Sequence, residues 1–581
     1  MKPVAAAATR SRGSEDVFGG RPRGSTLFSF RQAVSRLLHH GRKTFLAAIG
    51  LVTAIAAVAG VIVMGTRLLT AHGRPSGAIV IGVPYRLRAL DPLAQPLDPN
   101  QPEALSPFRL VYDTLVISGA DGRIYPHLAS GWEVQADGRE IIFQLRKARF
   151  HDGRPVDAAA VKYTLDRVLT DPNAKALART LGPLKEAVVL APDRVKLVFE
   201  RPYPPVWSAL SWSALGIVAP LAEGRAAGDA ALGPVGSGPF RPEGWSDGSL
   251  TLVRNPDYRW LPPLFRGSGG PRLERVVFQF LPEPGSRLAA FERGQLDLAE
   301  LDPGDYAKAS SLAGAEVLLV PRPSLTYLGF SVTGGTAVDA VVREAAARAI
   351  DRVALVKATG SPARLETALL PSGMWAVELP RAAQSAGFSP ERSRSVLAAA
   401  GWKDVDNDGR LEMPGKDGAT PTRLRLEILT YNYEWERRVA TEVASELQAV
   451  GIEAAVTALE PREVLGRTRD GRAGAFVLTY GWYDPDILFY LFHSSRLGQT
   501  NRSGLNDPDI DRALEHALRT VDPAARSAAY AAVVEGLQAR YVWVPLASQV
   551  TPVVARRELS GLTIGGADEV LLYGAYLRPG R

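Results

Sequence analysis

The chain has 581 residues, 46% of them hydrophobic and 22% charged, and contains no cysteine. That composition is globular and excludes disorder or collagen-like repeats for the bulk; the missing thiols exclude disulfides, thiolate metal centres, cysteine nucleophiles and a lipid anchor on cysteine. The net charge of +7 belongs to the N-terminus, where residues 1–76 carry +9 and the remaining 505 carry −2. A nucleic-acid-binding face needs basic residues clustered on the folded body, so nucleic acid is not an expected partner.

Residues 1–43 form a polar, basic tail with nine Lys and Arg, expected to be disordered. Thr44–Thr66 then run for 23 residues without a charge, enough for a helix to cross the hydrocarbon core. The basic flank predicts a cytoplasmic N-terminus and everything after Gly65 outside. The segment reads as an uncleaved anchor. A cleaved signal is the competing reading, because Ala57-Val58-Ala59 has the small-x-small pattern and Arg42-Lys43 partly resembles a twin-arginine motif.

The β-branched run over 78–84 predicts a strand. Alternation over 138–150 predicts another, closed by the turn His151-Asp152-Gly153. A helix follows, with Asp157 as N-cap and Val161, Leu165, Val168 and Leu169 at helical spacing. Strands are predicted over 195–200, 250–255 and 275–280. In the second half a helix is predicted over 341–358, a strand over 424–431, a helix over 435–451 and a strand over 475–482. This strand–helix–strand order predicts an α/β lobe. Residues 508–541 read as two helices divided at Asp522-Pro523.

Motifs for catalysis do not occur. There is no HExxH, GxxxxGK[ST], GxSxG or strand–GxGxxG–helix unit. The seven histidines, at 39, 40, 72, 127, 151, 493 and 516, share no ligand spacing. Asp404, Asp406, Asp408 and Gly409 match the first half of a calcium loop, but Gly415 stands where the bidentate glutamate belongs, so a solvated acidic turn is expected. No cofactor, metal or enzymatic activity is expected.

The stretch 128–169, with Trp132, the Asp137-Gly138 turn, Phe150-His151-Asp152-Gly153 and the helix after it, resembles the signature of the extracellular solute-binding proteins of family 5. These are the peptide-, nickel- and oligosaccharide-binding components of ABC importers. Leu90-Asp91-Pro92 and the segments 235–240, 252–258, 290–298, 342–357 and 393–402 resemble the same family in the same order, so the resemblance covers nearly all of 77–560.

The resemblance implies an α/β, periplasmic-binding-protein-like fold of two lobes with an extra β-rich subdomain. Lobe I would comprise 77–110, 232–322 and 543–581, the extra subdomain 111–231, and lobe II 323–542. The implied function is capture of an oligopeptide or similar small solute between the lobes, and delivery to permease subunits in the membrane. A monomeric body, anchored on the extracytoplasmic face of a bacterial membrane, is expected. A membrane-tethered sensing receptor or scaffold is the alternative. The family's peptide binders pair the peptide amine with an aspartate after a Gly-Trp at a lobe II strand end. Here Gly481-Trp482-Tyr483-Asp484-Pro485-Asp486 stands in a shortened form of that loop. Trp482, Tyr483 and Asp484 are therefore the expected ligand-binding residues, with Tyr431 and Asn432 at the end of the neighbouring strand. The opposing reading makes Trp482 core and Asp484 a helix cap.

Overall fold

In the computed structural model of the chain the described residues are 77–87, 89–94, 104–220, 233–265, 269–371, 374, 379, 385–415, 420–469, 473–566 and 569–578. The tail and the charge-free segment expected over 1–66 lie outside them. Among the described residues no helix is long and apolar enough to cross a membrane. Pro75–Arg581 form one compact unit.

Strand β1 (Ala78–Val83) is the predicted apolar run, and five of its six residues are buried. That pattern suits a central parallel strand covered on both faces. A separate antiparallel sheet follows, made from β2 (Ala129–Val134), β3 (Glu140–Leu145), β4 (Leu184–Ala191) and β5 (Arg194–Phe199), in the order β2-β3-β5-β4. Between β3 and β4 runs α1 (Ala158–Thr170). Asp157 caps it as its spacing predicts, accepting a hydrogen bond from the Ala160 amide. Val161, Leu165 and Val168 of α1 share one core with Phe143, Val195 and Leu197 of the sheet. The short helix α2 (Val206–Leu210) closes this piece.

The chain then returns to the main sheet with β6 (Phe240–Trp245), β7 (Ser249–Arg254), β8 (Arg275–Phe280), β9 (Leu298–Glu300), β10 (Ala315–Pro321) and β11 (Ser324–Phe330). The single helix expected over 341–358 is two: α3 (Ala340–Ala349) and α4 (Arg352–Thr359). Ile350 is extended, and the Asp351 carboxylate accepts from the amides of Val353 and Ala354, starting a new helix where the pattern alone reads straight through.

Next come β12 (Ala363–Leu365), β13 (Arg425–Tyr431), α5 (Glu434–Gln448), β14 (Glu453–Leu459) and β15 (Ala475–Gly481). Helix α5 buries Val439, Ala440, Val443, Ala444 and Leu447, the i, i+1, i+4 stripe that the sequence shows. After α6 (Ile487–Phe492), the expected helix pair is α7 (Pro508–Arg519) and α8 (Pro523–Ala539), with Asp522 capping the second. The last long element is β16 (Trp543–Arg556), fourteen residues with all but two buried.

Twelve strands form the main sheet, in the order β14-β13-β15-β11-β16-β9-β1-β8-β7-β6, with β10 and β12 also paired to β16. Strand β16 pairs with β11 through Trp543–Ala547 and with β10 and β9 through Val550–Arg556. Its first half enters the cores of the β11–β15 side, and its second half those of the β1–β9 side. A boundary drawn at 542/543 therefore falls ahead of a strand whose first five residues still pair with β11. The sheet is crossed from one half to the other at two adjacent places, Arg322-Pro323 between β10 and β11, and Ser548-Gln549 within β16.

Buried charge ties the chain's extremities together. Arg109 is 3% exposed, and its Nε donates to Glu569 at 2.7 Å while its other nitrogens reach Thr114 Oγ1 and the Ser211 carbonyl. Breaking a buried pair from one side leaves an uncompensated charge and typically costs ~3–5 kcal/mol. Arg109→Ala should lose stability on that scale in denaturant unfolding, and Arg109→Ala combined with Glu569→Gln should recover part of the loss.

Candidate binding cleft

Strand β15 is parallel to β13, with Thr430 opposite Val477, and antiparallel to β11, with Ser324 opposite Gly481. Its C-terminal end therefore emerges beside the crossing between the two halves. The Trp482 amide donates to the Pro323 carbonyl at 2.9 Å and fixes the turn that follows to that crossing. Tyr431 lies level with Leu478, four residues short of Trp482. At ~3.3 Å per residue, Tyr431 and Asn432 lie at the same sheet end but roughly 13 Å deeper than the 482–484 turn. The five expected residues thus form two groups rather than one cluster.

In the first group Asp484 is 3% exposed and its carboxylate is occupied. Arg526 of α8 donates to both oxygens, at 2.6 and 3.1 Å, and the Asp486 amide donates to Oδ1 at 2.9 Å. The charge that a peptide amine was expected to neutralise is neutralised from within the chain. Trp482 is half-buried against the core of the β11–β15 half, and its Nε1 donates to Asp486 Oδ1 at 2.7 Å. Asp486, wholly buried, is pushed well above the usual carboxylate range by burial and then by the Asp484 charge, with the Trp482 bond and Arg526 opposing. The neighbouring Asp484 carries the ion pair to Arg526.

Tyr483 faces the β2–β5 piece. Its ring meets Trp212 edge-on at 4.6 Å, and its carbonyl accepts from Ser208 Oγ at 3.2 Å. Tyr203 directs its hydroxyl at Asp486 Oδ2 from 3.5 Å. None of Tyr203, Ser208 and Trp212 was singled out from sequence. They follow the predicted strand by only a few residues, and no local pattern marks a contact some 275 positions away.

The second group is more open. Tyr431 is half-buried beside Tyr433, at a ring distance of 5.9 Å, and Tyr433 is 55% exposed. Asn432 is exposed, with its amide donating to the Leu459 carbonyl. Burial pushes the Tyr431 hydroxyl up, and the nearby Arg502 opposes. Behind them Trp435 Nε1 donates to Thr326 Oγ1, which meets Thr479 Oγ1 at 2.9 Å. Thr479 in turn donates to the buried Glu436 at 2.8 Å.

At the crossing itself Arg322 donates to Gln549 Oε1 and Thr551 Oγ1, each at 3.0 Å. Glu300, at the end of β9, accepts from the Ala104 amide at 3.2 Å. Burial pushes it up to about 7, against the pull of Arg322 and Arg287. The sheet end thus carries the aromatic rings of Tyr431 and Tyr433 and the exposed Asn432, and the crossing carries the Arg322 guanidinium.

The acidic turn was the one metal-like pattern. Ligand atoms of Asp404, Asp406 and Glu412 lie within 4.8 Å of one another. Arg423 Nη2 stands 3.0–3.4 Å from the carboxylates of Asp406, Asp408 and Glu412. A guanidinium thus supplies the positive charge there, and Asp404 is spent on the amides of Asp408 and Gly409.

Comparison with known proteins agrees with this architecture. A family model described as bacterial extracellular solute-binding proteins, family 5 middle, matches residues 123–500. The glutathione-binding protein GsiB of Salmonella paratyphi A is 26% identical over 502 residues, covering 84% of this chain and 92% of that one. The nickel-binding periplasmic protein of Escherichia coli is 25% identical over 479 residues, covering 80% and 88%. The crystal structure of NikA from Brucella suis in complex with Fe(III)-EDTA superposes with a TM-score of 0.70 at 25% identity, covering 86% of this chain and 100% of that one.

Glu300 gives the fold a pH signature. Its folded value, raised above an unfolded value near 4.5, means its contribution to stability is fully present below that value and is lost as pH rises through about 7. At 1.36 kcal/mol per pKa unit the loss is roughly 3 kcal/mol. In Glu300→Gln the pH dependence of unfolding between 4.5 and 7.5, measured against wild type, should flatten by that order.

Proposed function

Because the chain belongs to the bacterial extracellular solute-binding proteins of family 5, we propose that its two sheet halves are the lobes that close on the solute. The protein is the extracytoplasmic solute-binding component of an ABC importer, and its partners are a small-molecule or peptide ligand and the permease. The observation that supports closure is the pair of adjacent crossings at Arg322-Pro323 and Ser548-Gln549. Two neighbouring strands joining two cored bodies let one body rotate against the other by small dihedral changes in a few residues. Ligand that contacts both bodies then favours the closed state by its differential affinity.

We assign 77–110 and 232–322 to lobe I, 111–231 to the extra subdomain and 323–542 to lobe II, with β16 shared and 557–581 returning to lobe I. Tyr431, Asn432, Tyr433 and Trp482 offer the lobe II surface, and Arg322 with Gln549 and Thr551 the floor. Asp484 acts from behind that surface, holding the turn through Arg526. The chain binds without turning the ligand over, and the charge-free segment 44–66 anchors it outside the cytoplasm. The named relatives bind glutathione and nickel, and the mixed aromatic and charged lining here fits a polar solute of comparable size.

Native mass spectrometry of the full chain purified in detergent should find a small solute that is released on unfolding. Added back at 100 times its Kd, that solute should stabilise the fold by about 2.7 kcal/mol, and small-angle scattering should show a smaller radius of gyration. Asp484→Asn should lower stability by ~3–5 kcal/mol through the stranded Arg526, far more than the loss of a helix cap, as read by denaturant unfolding.

A further inference from the structure

The acidic turn that opens at Asp404 holds one buried group that its ion pairs leave unserved. Glu412 stands at the ninth position of this turn, ahead of the twelfth, where the spacing of a calcium loop expects its glutamate. Its side chain folds back over the turn and is 4% exposed as a residue. Oε2 accepts from the Val405 amide at 3.2 Å, whereas Oε1, itself buried, accepts no hydrogen bond. Oε1 faces the turn, since the Arg423 Nη2 that stands 3.1 Å from it also stands 3.0 Å from Asp408 and 3.4 Å from Asp406. A buried carboxylate oxygen without a donor is costly, and a bound ion is a standard reason for one.

Arg423 does not meet the demand of this cluster. One Nη2 carries two hydrogens for three carboxylates, and of these only Asp406 receives it in hydrogen-bond geometry. The connected ion pairs draw in Glu453 with Arg410 and Arg425. With Asp404 the cluster sets five carboxylates against three guanidiniums, a surplus of two negative charges that one divalent cation balances. Asp404 accepts from the amides of Asp408 and Gly409, one to each oxygen, and a carboxylate oxygen still has a lone pair to give after one such bond. Every donor is a hard oxygen. Calcium takes oxygens at 2.3–2.6 Å, so ligands across the ion stand about 5 Å apart; ligand atoms of Asp404, Asp406 and Glu412 lie within 4.8 Å of one another.

We propose that Asp404, Asp406 and Glu412, with Asp408 as the fourth carboxylate, form a calcium site at which Arg423 yields to the ion. Arg423 Nη1 already stands 3.7 Å from Glu453, to which the guanidinium withdraws. The turn is joined to the starts of β13 and β14: the Leu411 amide donates to the Gly451 carbonyl, and the Leu424 amide to the Leu411 carbonyl. Tyr431 lies at the other end of β13, six residues or roughly 20 Å away. The ion therefore clamps the end of the β11–β15 half opposite the cleft, and it acts on stability rather than on solute. Its Kd falls at about 10⁻⁴–10⁻³ M, the range of extracellular modules.

The test uses the full chain in detergent, stripped of divalent ions with EDTA and dialysed. Calcium chloride is titrated in by calorimetry, and thermal unfolding is followed at each concentration. Wild type should bind one ion in that range, and its unfolding midpoint should rise with calcium. Asp406→Asn changes a side chain that is 58% exposed and should fold; it should weaken binding by more than the ~10-fold that loss of an outer-shell partner costs. Glu412→Gln should do the same, and Asp406→Asn alone carries the test if that buried variant does not fold. Arg423→Gln removes the competing charge and should tighten binding, whereas a turn held only by its ion pairs would lose stability and gain no affinity. No saturable binding up to roughly 10 mM, ten times the weakest value in the range, would overturn the site. So would wild-type affinity in Asp406→Asn, an equal response to magnesium, or weaker binding in Arg423→Gln. No solute enters these measurements, so their failure leaves the solute-binding reading untouched.

Discussion

One strand holds two bodies. β16 is the shared member of an otherwise divisible sheet: without it, β14-β13-β15-β11 and β9-β1-β8-β7-β6 are separate ribbons. Each ribbon would then expose an edge of unpaired amides and carbonyls, the arrangement that invites aberrant pairing. The two ends of β16 lie in different cores, and between them Ser548 and Gln549, beside the Arg322-Pro323 crossing, pair with Arg364 and Ala363 of β12. The Arg322 side chain, bonded to Gln549 and Thr551 of β16, links both crossings into one unit.

Against that background the Asp484–Arg526 pair has a definite task. Ion pairs removed from water gain little net free energy, because desolvation offsets the attraction. What such a pair does provide is position. It pins the 482–486 turn to α8, and the neighbouring Asp486, its carboxyl pushed upward by burial, accepts the Trp482 indole. The turn is therefore tied to α8 and to Pro323 by bonds internal to the chain.

The regular elements were legible because their signals are local. The β-branched run of β1, the Asp157 cap and the helix division at Asp522-Pro523 each declare themselves within a few residues. The helix break at Ile350-Asp351 was missed because Asp351 also fits a helix interior, and only its side-chain bonds to Val353 and Ala354 show that it starts a second helix. The family resemblance placed Trp482–Asp484 at a strand end facing the other body. It could not show that Arg526, 42 positions on, takes the carboxylate, since an internal guanidinium and a ligand amine satisfy the same aspartate equally well on paper. Ser208 and Trp212 left no trace for a similar reason: their partners are set by how two bodies meet, which no local periodicity encodes. The dual membership of β16 is of this kind as well.

That strand has a kinetic side. β16 begins at residue 543 of 581 and pairs with strands starting near residues 298, 315 and 324. Pairings so distant in sequence must close long loops before they return any stability, and they slow folding accordingly. During synthesis from the N-terminus, each ribbon has all of its own strands by residues 300 and 481, but the edge each leaves for β16 stays unpaired until nearly the whole chain has emerged. Those two edges thus stay open through most of synthesis, and exposed unpaired edges of that kind are prone to aberrant pairing. The strand that joins the two ribbons of the sheet is also among the last to emerge.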